Sequence, residues 1–154
     1  MILQLNLPIL HLLENSQRIL IAGIGGGHDV LGGLPIYFAL RELGKEVHLA
    51  NYSFTDFEIV RHVTNPLVEL PDMLIGTRGA LRTPLPYFPE GYLTQWFQEE
   101  RGEDVPVWMV NKLGVQPVRL AFRHLIDKLQ IDALILLDGG VDSLMRGDEQ
   151  SPGT

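Results

Sequence analysis

The chain of 154 residues contains no cysteine. Disulfides, thiolate catalysis and cysteine-type zinc sites are excluded together, and the composition fits a reducing compartment. The expected cofactor set accordingly includes no structural zinc, no iron–sulfur cluster and no haem. No apolar run reaches the roughly 20 residues a membrane span needs. The apolar opening from Met1 to Leu13 is interrupted by Asn6, Pro8 and His11. It also lacks the positive n-region and small-residue cleavage site of a signal peptide. A cytoplasmic protein without a membrane partner is the expectation. Basic residues are scarce too: 12 Lys and Arg stand against 19 Asp and Glu, a formal charge of −7. Nucleic-acid binding, which rests on phosphate neutralisation by such residues, is not expected. Two small basic islands remain, Arg78 with Arg82 and Arg119 with Arg123. These leave room for a local anion site, and the first pair lies in an irregular segment from which it can swing over a bound anion.

Repeats and low-complexity tracts are missing as well, and what is present reads as one globular domain. With 45% hydrophobic and 20% charged residues the chain has enough apolar material for a core. Residues 1–17 read as a flanking segment whose short helix follows Pro8, and residues 18–154 as an α/β domain. Residues 18–22 form a continuous aliphatic run, the pattern of a strand covered on both faces. Residues 30–43 are helical, with Pro35 marking either a late start or a bend. Residues 46–50 form the second strand, which completes a βαβ unit. A short helix over 56–63 comes next, followed by an irregular excursion over 66–89 holding Pro66, Pro71, Pro84, Pro86 and Pro89. Met73 to Ile75 is a candidate strand inside it. Helix 92–100, strand 105–110, helix 117–130 and strand 132–137 complete the alternation. Val118, Ala121, Phe122, Leu125 and Leu129 share one face of the last helix. Such alternation predicts a Rossmann-like, three-layer parallel sheet with helices on both faces. No helix follows the last strand, so the chain reads as truncated there, with a sheet edge open for a missing C-terminal half or a second copy.

Two glycine-bearing turns follow two of these strands. The first is Gly23-Ile24-Gly25-Gly26-Gly27-His28-Asp29 and the second Asp138-Gly139-Gly140-Val141-Asp142-Ser143. In a parallel sheet both open at the carboxyl edge, where ligands bind in open α/β folds. Glycine lets a ligand approach backbone N–H groups with no Cβ between. A dinucleotide reading of the first turn meets two departures. His28 replaces the third glycine, and the second strand ends in neutral Asn51 where Asp or Glu would bind ribose hydroxyls. Asp29 is either an N-cap or a ligand for Mg²⁺ or sugar hydroxyls, because a carboxylate there competes with phosphate for the same N–H groups. His28 is the candidate proton acceptor. Ser53, just beyond Asn51, is within reach of a ligand in the same plan.

At the second turn Asp138, Asp142 and Asp148 gather around Gly139, Gly140 and Gly147, with Arg146 embedded. Hard oxygen ligands on a loop suit Mg²⁺, which takes one or two carboxylates together with substrate phosphates. The alternative is a solvated acidic loop in which Asp142 and Ser143 cap a turn. The loop is also similar to the phosphate-binding loop of the ATP pyrophosphatases, with Asp138 in place of the leading serine.

Four segments together carry a wider resemblance. They are the run from Ile19 to Asp29, Glu46-Val47-His48-Leu49-Ala50-Asn51, Tyr87-Phe88-Pro89-Glu90, and the run from Leu137 to Glu149. In these the chain resembles the uncharacterised conserved family known as domain of unknown function 1152, over roughly residues 18–154. That resemblance implies a longer protein and transfers no activity.

The combined expectation is a protein that binds a nucleotide or another phosphorylated or hydroxyl-rich small molecule at the carboxyl edge. Gly23, Gly25, Gly26, Gly27, Asp29, Asn51, Ser53, Gly139, Gly140, Ser143 and Arg146 contact the ligand, and Asp138, Asp142 and Asp148 hold Mg²⁺. Any catalysis is metal-assisted group transfer or hydrolysis with His28 as base. The competing expectation is a non-catalytic binding or scaffolding module that uses the open sheet edge.

Overall fold

The structure, a computed structural model, describes residues 11–140. Six strands form one mixed sheet in the order β3-β4-β5-β2-β1-β6. In the chain they are β1 (Arg18–Gly23), β2 (Glu46–Ser53), β3 (Leu67–Leu70), β4 (Leu74–Thr77), β5 (Val107–Asn111) and β6 (Ala133–Leu137). The helices are α1 (Asp29–Gly32), α2 (Leu34–Glu42), α3 (Phe57–Val63), α4 (Pro89–Arg101) and α5 (Val115–Leu129).

The sheet is not parallel throughout, which corrects the sequence expectation. β6, β1, β2 and β5 run parallel, but β4 is antiparallel to β5, and β3 to β4. The reason is local. Only Pro71, Asp72 and Met73 separate β3 from β4. That is far short of the dozen residues a parallel crossover requires, so the two strands must pair as a hairpin. The segment read as an irregular excursion therefore contributes both strands to the sheet.

β1 is buried from Ile19 onward, and its two faces feed different clusters. Ile19 and Ile21 join Tyr37 and Leu40 of α2 and Leu93 and Phe97 of α4. Leu20 and Ala22 join Ala121 and Leu125 of α5. This alternation follows from the two-residue repeat of a strand, with helices packed on each side. A third cluster packs Phe57, Val60 and Val63 of α3 against Ile75, Met109 and Phe88.

The helical stretch near Pro35 divides into α1 and α2 around Gly33, which places Pro35 in the first turn of α2 where its missing N–H costs nothing. α4 starts at Pro89, three residues before the expected position, and that shift draws Glu90 into the helix start. Among the described residues β6 pairs on one side only, with β1.

Candidate functional site

Because β6 lies beside β1 in parallel register, Gly23 opposite Leu137, the two glycine turns leave the sheet at the same edge. Ile24 N–H donates to the Leu137 carbonyl at 2.8 Å, and Gly139 N–H to Asp29 Oδ1 at 3.2 Å. The Asp138 carboxylate lies in the space that a Cβ on Gly25 would need. Residues more than a hundred positions apart thus form one rim.

Asp29 organises that rim. Its Oδ2 accepts from Gly25 N–H and Gly26 N–H, each at 2.7 Å, while Oδ1 takes the Gly139 bond. Charge-assisted bonds of this kind are short and strong. Two sequence expectations change here. Asp29 is not the N-cap, which is His28, but the first residue of the four-residue α1. Gly25 and Gly26 also do not offer free donors, because the carboxylate three or four residues on already holds them. A backbone anion nest exists, and the chain fills it with its own anion.

Beneath it lies a buried polar group. Asn51 sits opposite Gly23 in the β1–β2 register and is fully buried. Its amide donates to the Gly27 carbonyl and to Glu90 Oε1, both at 2.8 Å. Thr55 Oγ1 donates to Glu90 Oε2 at 3.4 Å, and Thr55 N–H to Ser53 Oγ at 3.2 Å. Asn51 Oδ1 is buried without a partner and faces Gly23, where only glycine leaves room for it. Glu90 is also fully buried. Desolvation pushes its carboxyl above the usual range, and hydrogen bonds from Asn51, Ser53 and Thr55 oppose the shift only in part.

The sequence reading missed Glu90 as a site residue. Beside Pro89 it looks like an ordinary acidic residue in a first helical turn, and neither periodicity nor spacing marks it as buried. Tyr87 was missed as well. Its hydroxyl occupies the position of a Cβ on Gly27, and its ring meets His28 edge-on at 5.3 Å. Burial, then the charges of Glu90 and Asp29, raises its phenol pKa.

The remaining candidates divide by place. His28 is exposed, and its described contact is the Tyr87 ring. Asp138 is exposed at the rim, where its Oδ1 accepts from Gly140 N–H at 3.1 Å. Asp142, Ser143, Arg146 and Asp148 lie outside the described residues. Among the described residues no cluster of three or more His, Asp or Glu side chains is arranged to hold a metal ion. Arg78 and Arg82 do not reach the rim. Arg78 pairs with Asp104 at 3.4 Å, and Arg82 bonds Asn65 at 3.2 Å. No protein-family model matches the chain, nor does any curated protein or solved structure.

Proposed function

We propose that the chain binds a nucleotide or another hydroxyl-rich small molecule at the carboxyl edge of a Rossmann-like layered sheet. The observation that carries this reading is the acceptor-rich rim, where Asp29, Asp138 and the carbonyl edge of β6 meet at the ends of β1 and β6. Such a surface suits ligand hydroxyls, which donate hydrogen bonds, better than it suits a phosphate. A phosphate at the first turn must displace Asp29 from two 2.7 Å bonds. The hydroxyl-bearing part of the ligand therefore lies at the rim, and any phosphate points away from Gly25 and Gly26. In this reading Asp138 is the described carboxylate that faces Mg²⁺; Asp142 and Asp148, which the sequence expectation adds to it, lie outside the described residues. His28 and Tyr87 flank the same turn and contact the ligand from the outer side.

A thermal-shift series tests this reading. The probes are adenosine, ADP, ATP, ribose, ribose 5-phosphate and inorganic phosphate, each with and without Mg²⁺. A ligand that binds the native state raises the melting point, by about 2.7 kcal/mol of added stability at a hundredfold excess over Kd. Adenosine and ribose-bearing probes are expected to raise it where inorganic phosphate does not. An unchanged melting point across the series, or a response to phosphate alone, overturns the reading.

A further inference from the structure

A second concave surface lies on the other face of the sheet and owes nothing to the polar rim. α5 covers β1, β2 and β5 through Ala121 and Leu125, and no residue of β6 enters that cluster. Among the described residues the α5 side of β6 is consequently left bare, with Leu134 38% and Leu136 51% exposed. Between this bare strand and α5 runs a groove of about 460 Å³, floored by Phe122, Ile126, Leu134 and Leu136. It continues past Ile24 and Val118 into a neighbouring hollow of about 320 Å³ that reaches Val115 and Tyr52.

Arg119 and Arg123, one helical turn apart on α5, line this groove. Among the described residues every other Lys or Arg has a carboxylate, a carbonyl or amide oxygen, or an aromatic ring as partner. Arg119 and Arg123 have none. In a chain of formal charge −7, two guanidinium groups with no partner among the described residues, set over one apolar hollow, form a distinct local environment. Ligand sites commonly combine an apolar lining of this volume with a few polar groups that fix orientation.

We propose that this groove binds an amphipathic organic anion: an aliphatic or aromatic body along Leu134, Leu136 and Phe122, with its carboxylate, sulfonate or phosphate group on Arg119 and Arg123. The charge complementarity selects the occupant. A neutral apolar molecule would leave both arginines unpaired, and a cation would be repelled. The proposal is independent of the rim, which lies on the side of β1 facing α2 and α4.

Methyl-resolved NMR titration of the full chain with octanoate, 1-octanol and octylammonium tests it. Octanoate is expected to move the Leu134, Leu136 and Ile126 methyl signals and to bind about tenfold more tightly than octanol, the order expected for a charge-assisted contact. The R119Q/R123Q double variant is expected to lose that preference while octanol binding stays the same. Added salt is expected to weaken octanoate alone. Equal affinity for the three probes, or shifts confined to other methyls, overturns the proposal. So does a concentration-dependent dimer that shields Leu136, or a contact between Leu134 and residues 141–154, since either gives the groove a different occupant.

Discussion

At the carboxyl end of β1 the two faces of the sheet treat the same strand differently. On the side of α2 and α4, Asn51 and Asp29 press into the space left by Gly23, Asp138 into that at Gly25 and Tyr87 into that at Gly27, and most of the polar atoms there have a partner within the chain. On the side of α5, starting at Ile24, the surface is apolar, hollow and edged by two arginines with no partner among the described residues. Polar groups that satisfy each other rigidify a region and leave a ligand only the exposed part of the rim, at His28 and Asp138, whereas the apolar hollow presents two guanidinium groups with no partner among the described residues.

The sharpest way to break this contrast is to crowd the closed side. A Cβ on Gly23 would lie 2.7 Å from the backbone nitrogen of Val30 and 2.8 Å from Asp29 Cβ, and would also meet Asn51 Oδ1. Backbone at that distance cannot rotate away as a side-chain tip can. Gly23→Ala is expected to lower stability by about 3 kcal/mol, at the upper end of overpacking costs. Urea denaturation measures it. A loss under about 0.5 kcal/mol, the range of ordinary surface changes, would show that the closed side has slack and that the contrast is overstated.

Removing the internal anion is the next test. Asp29→Ala takes the shared acceptor from Gly25, Gly26 and Gly139. Because solvent can reach these turns, the expected cost is about 2 kcal/mol, within the range for bonds to a charged group. The same variant is expected to gain stability from added sulfate or phosphate, which fills the vacated nest, while the native chain does not respond. Equal responses from both proteins would mean that Asp29 is not what closes the nest to anions.

The helices and parallel strands were legible because their signals are local: an aliphatic run for β1, a 3.6-residue stripe from Val118 to Leu129 for α5. The meeting of the two turns was legible too, since it follows from strand order once both strands are taken as parallel. The β3–β4 hairpin was less so, because its strands are four residues each and sit among prolines. The occupancy of the nest was visible only in part. Asp29 could be seen to compete with phosphate, but whether its carboxylate turns back onto Gly25 and Gly26 depends on the short α1 that begins with it. Glu90 stood in one of the segments that carry the family resemblance, but nothing in periodicity or spacing marked it as buried, because its burial is set by Asn51 and Thr55 on β2 and the loop after it, about 35 residues earlier in the chain. The groove was foreshadowed by the Arg119 and Arg123 pair, although its apolar floor depends on which strand α5 leaves uncovered.

The smallest expected effect concerns pH, and it tests whether the closed side holds a carboxylate against its preference. Glu90 is buried among neutral partners, so the folded state keeps its proton to a higher pH than the unfolded chain does. Between those two pKa values the native state binds more protons, and stability falls as pH rises through that window. Glu103, held low by its hydrogen bond to Arg41, acts in the opposite sense below the usual carboxylate range. Its contribution is the same in wild type and variant and cancels on comparison. Glu90→Gln keeps an oxygen to accept from Asn51 and supplies an amide donor toward Thr55 and Ser53, so the network survives with no group left to titrate. Denaturation curves across a pH series are expected to show wild-type stability declining above the usual carboxylate range and the variant staying flatter. Parallel curves would mean that Glu90 gives up its proton as readily as an exposed glutamate, and the rim would then be wetter and more open than its hydrogen bonds imply.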